Sequence, residues 1–300
     1  MDSVAVFEFL RSIATPGLDR VIKVITDLGS TTFYMAVIPI LYWCISKSLG
    51  LSLAIALSIS NYINVGIKFI FCRLRPYVVF PHLDAPEYLK LTGTGYSFPS
   101  GHAQVSSTFW TYLARSVGEK WITGTGIVVV VFVAFTRVYA TVHYPTDVLV
   151  GAVLGVAIAY LYAKIETLVH ALGPRGKERI RSALAVSVIG PGLVFALSLL
   201  LNPAFTKEVA QVLGFIAGAG VGYTLENEYV EYDVRATVPV HIIKIAIGLA
   251  GVMGIRYGLK AVFPGTAFWD MLRYAMVAVW ATLGAPFVFK SLFKPGSSAT

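Results

Sequence analysis

Charge is what this chain has least of. Only 13% of its 300 residues are Asp, Glu, Lys or Arg, about half of what a soluble domain carries. That excludes both an ordinary water-soluble globule and a charge-rich disordered segment. Cysteine is nearly absent: Cys44 and Cys72 are the two in the chain, both within apolar runs. Their number excludes a disulfide framework, and neither sits at metal-ligand spacing, so small buried hydrophobes are expected. The opening MDSVAVFEFLRSIATPG lacks a basic start, an apolar core and a small-residue cleavage site. No removable signal peptide is expected, and insertion would rely on the first spanning helix. Internal repeats and low-complexity tracts are absent as well.

What is present is apolar. Hydrophobic residues make up 56% and aromatics 13% of the chain, and the mean hydropathy is +0.73. A spanning helix needs about 20 mainly apolar residues. On that ruler nine candidate spans lie at approximately 31–48, 50–73, 101–116, 121–140, 145–167, 182–201, 207–225, 237–257 and 268–290. The expected fold is therefore an all-α, polytopic membrane bundle. Residues 4–27 read as an amphipathic or partly immersed helix broken at Pro16-Gly17. The expected organisation is an N-terminal amphipathic segment at 1–30, a motif-bearing core at 31–167 and motif-free helices at 168–300.

Net charge is +8, from 24 Lys and Arg against 16 Asp and Glu. The bases cluster at helix ends and loops, which points to membrane topology and phosphate binding, not to a nucleic-acid partner. Lys47, Arg115, Lys120, Lys164, Arg175, Lys177, Arg179 and Arg181 fall on one expected side, and the last four crowd the 168–181 connection. Cytoplasmic loops collect Lys and Arg. A cytoplasmic 168–181 loop is expected, with the polar motifs on the opposite, non-cytoplasmic side.

Those motifs form three clusters. Asn61, Asn64, Lys68 and Arg75 share one helical face by spacing, rising to Arg75-Pro76, where proline stops the helix. A lysine and arginine snorkelling at a helix end would explain Arg73 or Arg75 alone; the asparagines deeper on the stripe favour a polar interior. Tyr96-Ser97-Phe98-Pro99-Ser100-Gly101-His102 precedes the third span. Pro99, Ser100 and Gly101 read as a first helical turn, whose free N–H groups suit an anion, with His102 beside it as a proton donor. Thr136-Arg137 closes the fourth span, and His143-Tyr144-Pro145-Thr146-Asp147 opens the fifth. Asp147 can reach back to His143 and fix its tautomer, although a helix-start carboxylate favoured by the dipole is the plainer alternative.

The pattern Lys68-x6-Arg75-Pro76, Pro99-Ser100-Gly101-His102 and Thr136-Arg137-x5-His143-x3-Asp147 resembles the three-part motif of the type-2 phosphatidic acid phosphatase superfamily. Lipid phosphate phosphatases, polyprenyl diphosphate phosphatases, glucose-6-phosphatase and vanadium haloperoxidases belong to it. The one departure is Thr136 where Ser is common. The resemblance covers residues 30–165 and implies a phosphatase core inside the bundle. It implies His143 as nucleophile, Asp147 orienting it, and His102 as acid and then base. Lys68, Arg75 and Arg137 would bind the phosphoryl oxygens, helped by Ser100 and the Gly101 backbone. It implies no metal and no cofactor.

Other features carry blander expectations. Glu226, Glu228, Glu231 and Asp233 read as a solvated or interface loop, and Gly214, Gly218 and Gly222 as close helix packing. His241 and Lys244 could line a cavity or snorkel. His82, Asp84 and Lys90 lie in a loop that would roof the site. An active site at the mouth of an apolar bundle suits an amphiphilic phosphate entering from the bilayer: a polyprenyl phosphate or diphosphate, phosphatidate or a sphingoid phosphate. A small soluble ester of the glucose 6-phosphate kind, phosphotransfer to another lipid, and a non-catalytic lipid-binding or transport protein stay open, as does the oligomeric state.

Overall fold

A computed structural model describes residues 2–83, 85–93, 95–172 and 177–293. Asp84 and Arg175, two of the charged residues singled out above, lie outside the described residues, and so do the side chains of Lys177 and Arg179. The chain begins with α1 (Val4–Ser12), α2 (Pro16–Asp27), α3 (Thr31–Cys44) and α4 (Lys47–Phe71). Two one-turn helices follow, α5 (Pro76–Val79) and α6 (Glu87–Lys90). Then come α7 (Gly101–Val117), α8 (Lys120–Tyr139), α9 (Pro145–Leu172) and α10 (Lys177–Leu201). The last are α11 (Pro203–Leu225), which runs into a π-helical turn at Glu226–Val230, α12 (Val238–Val262), α13 (Ala267–Val279), a second π-helical turn at Trp280–Gly284, and α14 (Ala285–Leu292).

Among the described residues, seven helical stretches are long and apolar enough to cross a membrane, or eight if the bent pair α2 and α3 counts as one span. The expected nine is not reached. The third candidate is only 17 residues long as α7, and the first is only 14 residues long as α3, its continuation lying in α2 across a 44° bend. Capping residues explain the breaks. Thr15 Oγ1 accepts from Leu18 N at 3.2 Å with Pro16 opening α2, and Asn202 Oδ1 accepts from Ala204 N with Pro203 opening α11. Gly118 ends α7 at φ +80°, a left-handed conformation that suits glycine.

By contacts the chain divides into two units, one of residues 1–35 and 59–167, the other of 36–58 and 168–300. The break therefore falls inside α3 and α4 as well as near 168, and residues 1–35 pack with the motif-bearing helices. Phe7, Leu10 and Ile22 from the N-terminal helices share a core with Leu83, Leu89, Tyr139, Val142 and Tyr144. Within that core Asp19 accepts from Tyr139 Oη at 2.8 Å and from Arg11 at 3.1 Å. Part of the apolar surface read at 4–27 is thus packed on protein, while Phe9, Ile13, Val21 and Val24 stay exposed.

The second unit is held by close helix packing and, among the described residues, by ion pairs that include Asp270–Arg273 within α13 and Lys47–Glu226 across the sequence. A Cβ on Gly214, Gly218 or Gly222 would stand 1.9 Å from Met271 O, 2.1 Å from Ala275 O and 2.1 Å from Thr282 Oγ1. Only glycine lets α11 approach the α13 backbone so closely. Glu226 is fully buried, not solvated: its carboxylate accepts from Lys47 Nζ at 2.9 Å and from Tyr232 N at 2.7 Å. Lys244 is only 2% exposed and lies over the Tyr232 ring, so it does not snorkel. Cys44 is half-buried and Cys72 exposed, against the expectation that both are core residues. Replacing Gly218 with Leu should lower the thermal unfolding temperature of the detergent-solubilised protein, at a cost of about 3 kcal/mol or more. Gly254→Ala, where an added Cβ meets nothing within 4 Å, should leave the temperature unchanged or raise it slightly.

Candidate active site

The first unit brings its three clusters to one end of the bundle. Lys68 sits in the last turn of α4, which stops at Phe71. Cys72 then adopts a left-handed conformation, φ +46°, and Arg75 is extended at φ −76°, ψ 152°. Arg75 therefore does not share a helical face with Lys68, as the spacing suggested; it reaches the site from a short linker. In extended chain residues i and i+2 point the same way, so Arg73 and Arg75 both turn inward while Leu74 between them is exposed. Arg73 is thereby a site-facing residue, not a membrane anchor.

The 92–97 stretch supplies acceptors for the cations. Arg75 donates from Nε to Gly95 O at 2.9 Å, from Nη2 to Tyr96 O at 3.0 Å and from Nη1 to Val142 O at 2.7 Å. Lys68 Nζ donates to the same Tyr96 carbonyl. Arg137, fully buried at the end of α8, donates to Thr26 Oγ1 at 2.6 Å, Thr92 Oγ1 at 2.9 Å and Thr92 O at 3.0 Å. Gly93 is tight because a Cβ there would lie 2.8 Å from the Arg75 guanidinium.

The helix at the second cluster begins at Gly101, where the candidate span began and two residues after Pro99, at which its first turn was read. Ser100 is its N-cap, its Oγ accepting from Ala103 N at 3.5 Å while its own N–H donates to Asp147 O at 3.0 Å. Asn64 is a clamp and not a cavity wall: Nδ2 donates to Pro99 O at 3.3 Å and to Gln104 Oε1 at 2.9 Å. A Cβ on Gly29, in the turn between α2 and α3, would lie 3.2 Å from the His102 ring, so the α2–α3 corner packs on His102.

His143 is buried in the turn between α8 and α9, where Val142 N and His143 N both donate to Arg137 O at 3.2 Å. Its Nδ1 lies 3.5 Å from Asp147 Oδ2, and its Nε2 lies 3.2 Å from Arg75 Nη1. A guanidinium can only donate, so Nε2 is the acceptor and the ring proton is on Nδ1, facing Asp147. Burial first, then the charges of Arg75, Lys68 and Arg137 and the nearby His102, hold His143 well below the ordinary imidazole range. It is neutral at neutral pH, with its basic nitrogen beside a cation. Such a site can present a lone pair to an electrophile that a guanidinium already grips.

Asp147 is itself fully buried and firmly held. Its Oδ2 accepts from Ser97 Oγ and from Tyr144 N at 2.9 Å, and its Oδ1 accepts from Arg73 at 2.8 Å. Sequence reading missed Arg73, Ser97, Thr26 and Thr92. Ser97 and Thr92 flank the second motif, and Arg73 lies within the first. Thr26 lies 111 residues from Arg137 in sequence, and no local pattern marks it.

The PAP2 superfamily profile matches residues 49–169, and the profile described as PAP2 superfamily phosphatase, transmembrane extension, matches residues 210–297. The chain is similar to an undecaprenyl-diphosphatase of Sulfolobus acidocaldarius, 34% identical over 122 residues, covering 41% of this chain and 57% of that protein. A dihydrosphingosine 1-phosphate phosphatase of Schizosaccharomyces pombe is 26% identical over 172 residues, covering 52% of this chain and 40% of that protein. Phosphatidylglycerophosphatase B of Bacillus subtilis is 27% identical over 163 residues, covering 50% of this chain and 75% of that protein. The chain thus spans well under two thirds of the length of the first two. With one profile on the motif-bearing half and its transmembrane extension on the other, this multi-pass membrane protein belongs to the PAP2 (type-2 phosphatidic acid phosphatase) superfamily.

Proposed function

We propose that the chain is an integral membrane phosphatase that hydrolyses a lipid phosphate or diphosphate through a phosphohistidine on His143. The observation that carries this reading is the pairing of a neutral, Asp147-facing imidazole with a guanidinium 3.2 Å from its basic nitrogen. A phosphoryl group gripped by Arg75 lies against Nε2. The Nε2 lone pair attacks phosphorus, the bond to the leaving oxygen breaks, and His102, entering the step as its imidazolium, gives that oxygen its proton and becomes neutral. His102 then takes a proton from water, whose oxygen attacks phosphorus. The P–N bond breaks, releasing phosphate and returning neutral His143. Lys68, Arg75, Arg137 and the Gly101 N–H meet the developing charge on the equatorial oxygens, which is most of what phosphoryl transfer asks of a protein.

Two features favour a lipid over a soluble ester. Ile70, Phe71 and Leu74, next to the cations in sequence, are 77%, 61% and 57% exposed, an apolar rim suited to acyl or prenyl chains. The similar proteins named above act on membrane lipids by their names. We place the site on the non-cytoplasmic side: α9 leads from it towards the basic 168–181 connection, and Arg115, Lys120 and Lys164 lie at that far end.

Phosphate release from farnesyl diphosphate, phosphatidate or a sphingoid phosphate, assayed in detergent with chelator present, should fall to background in His143→Ala. In His102→Ala it should fall by roughly 10²- to 10⁴-fold, the usual contribution of a general acid. Activity persisting in His143→Ala would sink the assignment. Because His143 is held neutral, the free-enzyme acid limb of kcat/KM, corrected for substrate ionisation, should lie below pH 6.5; a limb at or above the ordinary imidazole value would contradict the buried neutral ring. A cysteine placed in the 168–181 loop should resist an impermeant thiol reagent on intact cells and react after permeabilisation, whereas labelling of intact cells would reverse the orientation.

A further inference from the structure

Arg73 is a cation the proposed chemistry leaves unused, and its partners differ in kind from those of its neighbours. Arg75 meets backbone carbonyls and an imidazole nitrogen, and Arg137 meets threonine oxygens. Arg73 instead donates to two carboxylates. Nη1 reaches Asp147 Oδ1 at 2.8 Å and Thr146 Oγ1 at 2.9 Å, and Nη2 reaches Asp2 Oδ2 at 2.8 Å. Its guanidinium also stacks on the Tyr144 ring, 3.8 Å from the centroid. Asp2 in turn accepts from Thr146 N at 3.1 Å. A cation so paired has little charge left for a substrate anion, but it is fixed on four sides.

What it fixes is the carboxylate behind the nucleophile. Among the described residues Arg73 is the donor to Asp147 Oδ1, while Oδ2 faces His143 Nδ1, Ser97 Oγ and Tyr144 N. Without Arg73, a buried carboxylate oxygen loses its charged partner, which is costly. Turning the carboxylate to find another donor would take Oδ2 away from His143. We propose that Arg73, anchored by Asp2, is a positioning residue that holds Asp147 in the orientation that keeps the His143 proton on Nδ1. The inference rests on the phosphatase reading above and extends it to a residue at the far side of the nucleophile from the phosphate.

The test is a double-mutant cycle on the full-length, detergent-solubilised protein. Its substrate is whichever of farnesyl diphosphate, dioctanoyl phosphatidate and a sphingoid phosphate the wild type hydrolyses fastest. Arg73→Gln should lower kcat roughly 10- to 100-fold, as for groups that orient a ligating histidine, with KM changed by less than about threefold because the phosphate cations are intact. Arg73→Lys should recover part of kcat, and Asp2→Asn should show a smaller loss of the same type. Adding Arg73→Gln to Asp147→Asn should cost less than about twofold further, since both remove one interaction; added to Lys68→Ala, the losses should multiply. Orthovanadate inhibition constants should stay within about threefold of wild type in Arg73→Gln, which reports the cradle and the fold together. A rise in KM at unchanged kcat, unchanged kinetics, or full multiplication with Asp147→Asn would overturn the positioning role alone. A wild type that turns over neither farnesyl diphosphate nor dioctanoyl phosphatidate nor a sphingoid phosphate would overturn the phosphatase reading, and the role with it.

Discussion

Positive charge gathered around one buried, neutral imidazole is the constraint on which the catalytic unit depends. An apolar bundle raises the cost of every ion in it, so Arg75 and Arg137 survive there only because the 92–97 stretch, Thr26 and the 140–144 turn surround them with oriented acceptors. Burial first, and then those same cations, hold His143 in the form that carries a lone pair. Carbonyl and hydroxyl acceptors satisfy a guanidinium without cancelling its charge. A carboxylate in the same place would have stabilised the resting site and weakened its pull on phosphate.

That division shows in how the two signs are arranged. Asp147 and Asp2 lie behind the nucleophile, tied to Arg73, while Lys68, Arg75 and Arg137 approach through neutral partners. The turn between α8 and α9 serves both groups: Arg137 O receives the Val142 and His143 N–H groups, and Val142 O receives Arg75. His143, Arg75 and Arg137 are thereby set by one short piece of backbone. The second unit answers a different problem, burying Glu226 against Lys47 and bringing α11 onto α13 through glycine.

Much of this was legible beforehand. Low charge and long apolar runs point to a helical membrane bundle, and among the described residues seven of the nine candidate spans are helices long and apolar enough to cross a membrane, with an eighth if α2 and α3 count as one. The two that fall short failed for a physical reason: composition gives apolar length but not where caps and bends interrupt a helix. The three clusters did come together, with His143 facing Asp147 four residues on. Arg75 was placed on the wrong kind of backbone, because spacing assumes a helix that Cys72 has already ended. Glu226 read as part of a solvated or interface loop because a charge run carries no sign of a lysine 179 residues away.

Hydropathy and motif spacing are local properties, so the solvent this protein folds in, its helical class and the residues gathered at its candidate site can be read along the chain. Folding in three dimensions adds that residues 1–35 pack with that site, that Thr26 and Thr92 hold Arg137, and that Arg73 faces a carboxylate while Arg75 faces His143. Each of those rests on contacts between residues distant in sequence, set by where chain reversals such as Cys72 and the 140–144 turn direct side chains. No periodicity along the chain encodes them.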